Sequence, residues 1–276
     1  MTDQSKRARL REILADSEGI IAPGVTDGLF ARLAQDCGYG VVHLSGNAIH
    51  KNFCLLDRNL LNVTQIAQRV GQISEATDIP LIVDGGSIAV EAIALARAVK
   101  YFERAGAAAI RFEDSLVNEY GASAEELAIP PLTRIVDQIK AAVDARRDNA
   151  LLVIVRCDSR PKESLLHVQE RLAAYAEAGA DAVGVQLSDK EEFRQVGANS
   201  TAPLVSMWPR TLMTAFEFLR MGFRIALMPS STPLAALAAA REMLIELREK
   251  GTEREYFDRQ REFPEIEGWY KNLGRQ

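Results

Sequence analysis

The sequence predicts a closed (β/α)8 barrel, α/β in class, with an extra C-terminal helical segment. Three observations carry this expectation. Eight short apolar runs rich in β-branched residues recur along the chain, amphipathic stretches at helical spacing separate them, and four of the helix-to-strand junctions share one glycine-terminated pattern.

The runs fall at Gly19–Ala22, Val41–Ser45, Pro80–Asp84, Ala107–Glu113, Ala150–Arg156, Asp181–Gln186, Ala202–Met207 and Arg224–Met228. Between them apolar residues recur with helical period, as in Ile93, Leu95, Ala96, Val99 and Phe102. The shared junctions are Cys37-Gly38-Tyr39, Ala105-Gly106-Ala107, Ala178-Gly179-Ala180 and Met221-Gly222-Phe223. Glycine ends a helix there because it enters the left-handed conformation without a Cβ penalty. Strands separated by crossover helices run parallel. Eight such units match a closed barrel, whereas an open doubly wound sheet needs a glycine fingerprint after its first strand, which Gly19-Ile20-Ile21-Ala22-Pro23-Gly24 lacks. The barrel is therefore expected over residues 1–251. Residues 252–276 form a charged helix and a tail with Phe257, Phe263, Ile266, Trp269 and Tyr270, aromatic area that calls for a docking surface.

Composition narrows the function classes. A chain of 276 residues that is 47% hydrophobic and 26% charged buries enough surface to need no disulfide scaffold or structural zinc. Its three cysteines, Cys37, Cys54 and Cys157, are isolated, which suits a reducing cytosol. The charged amino terminus does not read as a secretory leader, and no apolar run reaches membrane-spanning length. A net charge of −5 with dispersed basic residues gives no nucleic-acid footprint. The expectation is a cytoplasmic protein with a small-molecule ligand, acting on neither nucleic acid nor membrane.

Reactive groups in such a barrel lie at the carboxyl ends of the strands. Asp84 and Glu113 each end an apolar strand on neighbouring units, where buried carboxylates need a cation or donors. A magnesium ion, Mg2+, with one carboxylate bound directly and the other through water meets that need; helix capping is the alternative. Arg156 ends the run from Leu151, and its guanidinium reads equally as a bidentate clamp for an anionic ligand or as a salt bridge to Asp158 or Glu113. Ser45, Gly46 and Asn47 together offer a hydroxyl, close backbone approach and an amide to an anionic oxygen, or simply a capped loop. His43, His50 and His167 have no partner at ligand spacing and read as structural.

These segments together resemble the isocitrate lyase and phosphoenolpyruvate mutase superfamily over residues 8–250. The resemblance rests on the stretches beginning Gly24-Val25-Thr26-Asp27-Gly28, His43-Leu44-Ser45-Gly46-Asn47, Leu56-Asp57-Arg58-Asn59, Ile82-Val83-Asp84-Gly85-Gly86, Ile110-Arg111-Phe112-Glu113-Asp114 and Val155-Arg156-Cys157-Asp158. It implies a Mg2+ enzyme that breaks or forms a bond next to the carbonyl of a 2-oxo acid, through its enolate. It places the metal carboxylate on Asp84, the outer glutamate on Glu113, the substrate arginine on Arg156, the oxo-acid pair on Ser45 and Gly46, and a functional aspartate on Asp57. It also implies a homo-oligomer, a dimer or a tetramer of swapped dimers, with the helix Pro233–Leu247 packed on a partner barrel.

The chain departs from this pattern at three places. Gly86 stands where the superfamily usually has a second aspartate. The lid carries Asn118-Glu119-Tyr120-Gly121-Ala122 in place of a cysteine motif, so Tyr120 is the candidate carbon acid and a typical isocitrate or methylisocitrate lyase is not expected. Met207-Trp208-Pro209 replaces an asparagine-rich segment, so Trp208 should face a less charged distal group. The expected activity is a Mg2+-dependent carbon–carbon lyase using retro-aldol or decarboxylation chemistry. A hydrolase of an acylpyruvate or phosphonopyruvate-like substrate, with Asp57 positioning water, is the alternative, and a catalytically weakened oxo-acid-binding barrel is a further one.

Overall fold

The structure, a computed structural model, describes the chain except residues 17, 56–59, 87–90, 116–127, 261–262 and 274–276. In chain order the first unit holds α1 (Asp3–Ala15), β1 (Ile20–Pro23), α2 (Gly28–Asp36), β2 (Val42–Leu44), α3 (Gly46–Asn52), α4 (Val63–Ala76), β3 (Leu81–Gly86), α5 (Ala92–Arg104) and β4 (Ala109–Glu113). It continues with α6 (Leu132–Ala145), β5 (Leu152–Cys157), α7 (Leu165–Glu177), β6 (Ala182–Val185), α8 (Lys190–Asn199), β7 (Leu204–Met207), α9 (Ala215–Arg220) and β8 (Phe223–Met228). Each expected strand is present, within a few residues of its expected bounds.

All strand pairs are parallel, in the order β1-β8-β7-β6-β5-β4-β3-β2. A parallel bridge between Gly24 and His43, with the Val25 N–H donating to the His43 carbonyl at 2.8 Å, joins the two ends of the sheet. The result is a (β/α)8 barrel. Helix starts are fixed locally, by Asp27 accepting from Phe30 N at 3.0 Å and by a reciprocal capping box between Asn62 and Gln65. The four junction glycines, Gly38, Gly106, Gly179 and Gly222, all lie at positive φ, as their position after a helix requires.

Strand alternation sorts side chains into two cores. Ala22, Ile82, Ala109, Leu152, Ile154, Ala182, Val205, Ile225 and Leu227 fill the barrel interior, while Val83, Ile110, Phe112, Val153 and Val155 face the helices. Leu10, Ile13 and Leu14 of α1 extend the interior cluster. Arg7, on the same helix, donates to the Ala107 carbonyl at 3.0 Å and the Glu103 carbonyl at 2.5 Å, both just before β4. This closes the end of the barrel where the strands begin. The charged inward residues of β3, β4 and β5 lie at the other end.

The second unit, Thr232–Gln276, contains most of α10 (Ser231–Lys250), then α11 (Arg254–Arg259) and α12 (Phe263–Asn272). Within it Arg259 pairs with Glu246 at 2.6 Å and Glu242 at 3.3 Å, and Tyr256 is buried. Leu234, Leu237, Leu244 and Leu247 of α10 are exposed in the single chain.

Barrel closure depends on Gly24, whose N–H donates to the Met228 carbonyl at 2.7 Å. A Cβ there would lie 2.3 Å from the backbone oxygen of Pro229 and 2.5 Å from that of Met228, neither of which is the end of a flexible side chain. Gly24→Ala should therefore destabilise the chain by about 2 kcal/mol or more, visible as a fall of several degrees in the melting temperature. An unchanged melting curve would mean that the closure is not tightly packed.

Candidate active site

The site grows out of the two-residue repeat of β4. Ile110 and Phe112 pack outward, so Ala109, Arg111 and Glu113 point inward and upward in succession. Asp84 on β3 and Arg156 on β5 flank them, with Asp84 paired in register to Arg111 and Glu113 to Arg156. The register shift between Asp84 and Gly86 marks the end of regular pairing on β3.

These side chains form one charged cluster. Arg111 Nη1 lies 2.9 Å from Asp84 Oδ2, and its Nη2 lies 3.7 Å from Glu113 Oε1. Arg156 Nη2 reaches the same Glu113 oxygen at 2.5 Å, while Asp158 accepts from Arg156 Nε at 2.5 Å and Nη2 at 2.6 Å. Arg156 therefore makes both of the ion pairs that the sequence left as an alternative to a clamp. Among the described residues its Nη1 meets only the Met207 sulfur, at 4.0 Å. The carboxylates at 113 and 158 hold the fork in one orientation and leave one edge of it without an oxygen partner.

Behind Asp158 stands a chain of hydrogen bonds. The Asp158 N–H donates to Asp114 Oδ1 at 2.7 Å, the Tyr175 hydroxyl donates to Asp114 Oδ2 at 2.6 Å, and the Ser115 hydroxyl donates to Asp158 Oδ2 at 3.2 Å. Burial and the neighbouring Asp158 push the Asp114 carboxyl above the usual range, against these donors. Burial likewise raises the Cys157 thiol, which keeps it protonated.

Glu113 is pushed up to about 7, chiefly by burial, with Arg156 opposing and the Asp158 and Asp84 charges adding to the rise. Asp84, Glu113 and Asp158 face the two guanidiniums of Arg111 and Arg156, so the ionised cluster retains unmatched negative charge. Hard oxygen donors with an excess of negative charge suit a divalent cation. Asp84 and Glu113 therefore fit the metal expected there in donor chemistry. Among the described residues, however, no third histidine, cysteine or acidic side chain joins them in a metal-sized group. Gly86 supplies none.

At the end of β2 the geometry is mixed. Ser45 is buried and caps α3, accepting from Ala48 N at 3.5 Å, and the Gly46 N–H donates to Asp84 Oδ2 at 3.4 Å. Ser45 and Gly46 are thus brought to the carboxylate, while Asn47 is exposed. His50 Nε2 accepts from Leu61 N at 3.3 Å and its Nδ1 lies 2.7 Å from the Gly46 carbonyl, a structural role. Just after β7, the Trp208 indole N–H donates to the Met213 carbonyl at 2.7 Å. Asp57, Tyr120 and most of the expected lid, Val117–Pro131, lie outside the described residues.

Two members of the site were not singled out from sequence. Arg111 is fully buried, and none of its guanidinium nitrogens has a hydrogen bond of acceptable geometry. Its signal was present: a cation two residues before Glu113 inside an apolar strand shares the glutamate's face. His43 was read as structural; it is fully buried with neither ring nitrogen hydrogen-bonded, near enough for the charges of Asp84, Arg111 and Arg156 to act on it.

A barrel with a carboxylate–guanidinium cluster at its strand ends defines a class of enzymes that handle anionic substrates at the barrel mouth. Residues 10–248 match the phosphoenolpyruvate phosphomutase family, and the chain belongs to it, within the isocitrate lyase and phosphoenolpyruvate mutase superfamily. The 2-methylisocitrate lyase of Aeropyrum pernix is 33% identical over 269 residues, covering 95% of this chain and 87% of the relative. The 2,3-dimethylmalate lyase of Eubacterium barkeri is 28% identical, covering 89% and 87%. Among solved structures, a phosphonopyruvate hydrolase complex with oxalate and Mg2+ superposes with a TM-score of 0.82 at 27% identity, covering 92% of this chain and 90% of that one. Among the described residues no helix is long and apolar enough to cross a membrane.

Burial pushes His43 down to about 4 from its ordinary 6.5. The unfolded chain takes up a proton as the pH falls below 6.5, but the folded chain resists it until about 4. Stability from this group is therefore full above 6.5 and declines as the pH drops towards 4, by an amount on the order of a few kcal/mol. Replacing His43 with Met should flatten that acid-side loss in urea titrations at several pH values. The same slope in both proteins would assign the loss to other groups.

Proposed function

We propose that this chain is a carbon–carbon lyase that releases a 2-oxo acid through its enolate, by retro-aldol cleavage or decarboxylation. The observation that carries the reading is the joining of Asp84, Arg111, Glu113, Arg156 and Asp158 into one buried cluster at the carboxyl ends of neighbouring strands, in a chain of this family. Relatives that are themselves named carbon–carbon lyases support it.

Arg156 is the substrate clamp. Held by Asp158 and Glu113, it turns the Nη1 edge to a carboxylate, and fixing it beforehand reduces the ordering needed when substrate arrives. The Ser45 hydroxyl makes only a long capping bond, so turning it towards a developing oxyanion sacrifices little, and the Gly46 backbone and Asn47 amide stand beside it. Asp84 and Glu113 are the residues that would hold a divalent cation such as Mg2+, which when bound supplies Lewis-acid charge to the oxygens of the oxo acid. Trp208 has its N–H committed to Met213 and offers carbon surface to the distal part of the substrate. Tyr120 is the residue we assign as donor of a proton to the new carbanion. We place this activity in the cytoplasm.

The likeness to a phosphonopyruvate hydrolase favours one second reading, hydrolysis with Asp57 positioning water. Products separate the two. Incubation with 2-methylisocitrate, 2,3-dimethylmalate and oxaloacetate, followed by NMR, should reveal the oxo acid together with a second carbon fragment. Cleavage with addition of water, giving oxalate and acetate from oxaloacetate or, in a parallel incubation, pyruvate and phosphate from phosphonopyruvate, would instead identify the hydrolase, and no turnover of any of the first three would remove the lyase reading.

Asp84→Asn should lower kcat by at least about 100-fold, the effect of losing one preorganised charge at the reacting centre. Glu113→Gln should cost less, because its contribution runs through water or Arg156. Arg156→Lys should raise KM by about tenfold or more, since an ammonium lacks the planar fork. Equal, small effects of all three changes would place the chemistry elsewhere.

The exposed leucine stripe of α10 supports a homo-oligomer in which this helix packs on a partner barrel. Sedimentation should show a dimer or tetramer that removal of residues 252–276 weakens. A monomer at micromolar concentration would overturn the assembly.

A further inference from the structure

Arg111 has no place in the clamp, the oxyanion pocket or the proton transfer, yet it sits at the centre of the cluster. Its side chain is fully buried on the inward face of β4, with 2.9 Å from Nη1 to Asp84 Oδ2 and 3.7 Å from Nη2 to Glu113 Oε1. Those are the two carboxylates that would hold the divalent cation. Nε, Nη1 and Nη2 all lack a hydrogen bond of acceptable geometry. An arginine kept for packing or bracing satisfies its fork with well-aligned acceptors. Here the contact is a charge held against charges, the role a metal ion fills at a hard-oxygen site.

We propose that Arg111 is a protein-borne cation that competes with the divalent metal for Asp84, keeps Asp84 and Glu113 together when no metal is bound, and makes metal binding by this chain weak. The proposal rests on the reading of Asp84 and Glu113 as the cation-holding pair. Two features of the chain bear on the same point. Gly86 brings no carboxylate to the end of β3, so among the described residues Asp84 and Glu113 are the carboxylates this site offers an incoming ion. That ion must also approach a buried guanidinium, whose repulsion a low-dielectric site screens poorly. Competition for the Asp84 carboxylate follows, because Nη1 already holds its Oδ2.

The test reads metal occupancy, which keeps it separate from turnover. Binding of Mn2+ to the full-length chain is followed by electron paramagnetic resonance for wild type, Arg111→Gln and Arg111→Lys, and thermal unfolding is measured in EDTA and in excess Mg2+. The wild type and Arg111→Lys should bind Mn2+ with dissociation constants in the high micromolar range or weaker. Arg111→Gln should bind at least about tenfold more tightly. In EDTA, Arg111→Gln should melt below the wild type, because Asp84 then loses the guanidinium that faces it, and Mg2+ should raise its melting temperature more than that of the wild type.

Affinity of Arg111→Gln within twofold of wild type, or weaker, would overturn the proposal. So would tight, low-micromolar binding by the wild type, a result that stands even if the glutamine variant fails to fold. Loss of the lyase reading through absent turnover would leave a tenfold difference in Mn2+ affinity as support for the role of Arg111.

Discussion

The architecture of the site follows from one constraint: carboxylates and guanidiniums buried on the inward faces of adjacent parallel strands must neutralise one another. Asp84, Arg111, Glu113, Arg156 and Asp158 come from β3, β4 and the end of β5, and each leans on a neighbour one strand away or two residues along. Desolvating any of them alone would cost several kcal/mol. Together they form a network in which burial, more than the neighbouring carboxylates, raises the pKa of Glu113. The barrel tolerates this at its mouth because α1 and the apolar interior layer close the opposite end.

The hydrogen-bond chain behind Arg156 sets the direction of its guanidinium. Tyr175 on α7 fixes Asp114, Asp114 fixes the backbone of Asp158, and the Asp158 carboxylate then grips two of the donor nitrogens of Arg156. Three elements, β4, β5 and α7, thereby determine the direction of one guanidinium. A charged group ordered before the substrate arrives loses less freedom on binding, which is the physical meaning of preorganisation at such a site. The same chain of contacts makes Asp114 structural in role, although it sits beside Glu113 in sequence.

The fold was legible because β-branched runs and glycine-terminated helices repeat with a period that only parallel βα units produce, and the positive φ at Gly38, Gly106, Gly179 and Gly222 is the conformational reason the signal exists. Asp84, Glu113, Arg156, Ser45 and Gly46 were legible because a polar residue directly after an apolar strand marks the barrel mouth. Their pairings were not. Whether Arg156 turned to Asp158, to Glu113 or to open space depends on side-chain direction across strands, and it turned to both carboxylates. Arg111 and His43 were passed over because both lie inside strands, where local pattern reads as core. Only the inward layer of the assembled barrel puts Arg111 against Asp84.

The position of Arg111 also shows how little sequence separates a core layer from a reactive one. Ala109 belongs to the apolar interior and Glu113 to the mouth, and Arg111 stands between them on the same face. With a rise of about 3.3 Å per residue, one inward step along β4 advances less than 7 Å, so a long side chain rooted in the apolar layer delivers its charge to the layer above. Its apolar stem fills the barrel while its head is withheld from water, and the depth of its root fixes the head more firmly than a loop residue could be fixed. A cation built in this way has no off-rate. Any ion that shares its carboxylates must therefore compete with a partner that never leaves, and the strand alternation that made the barrel is what placed that partner there.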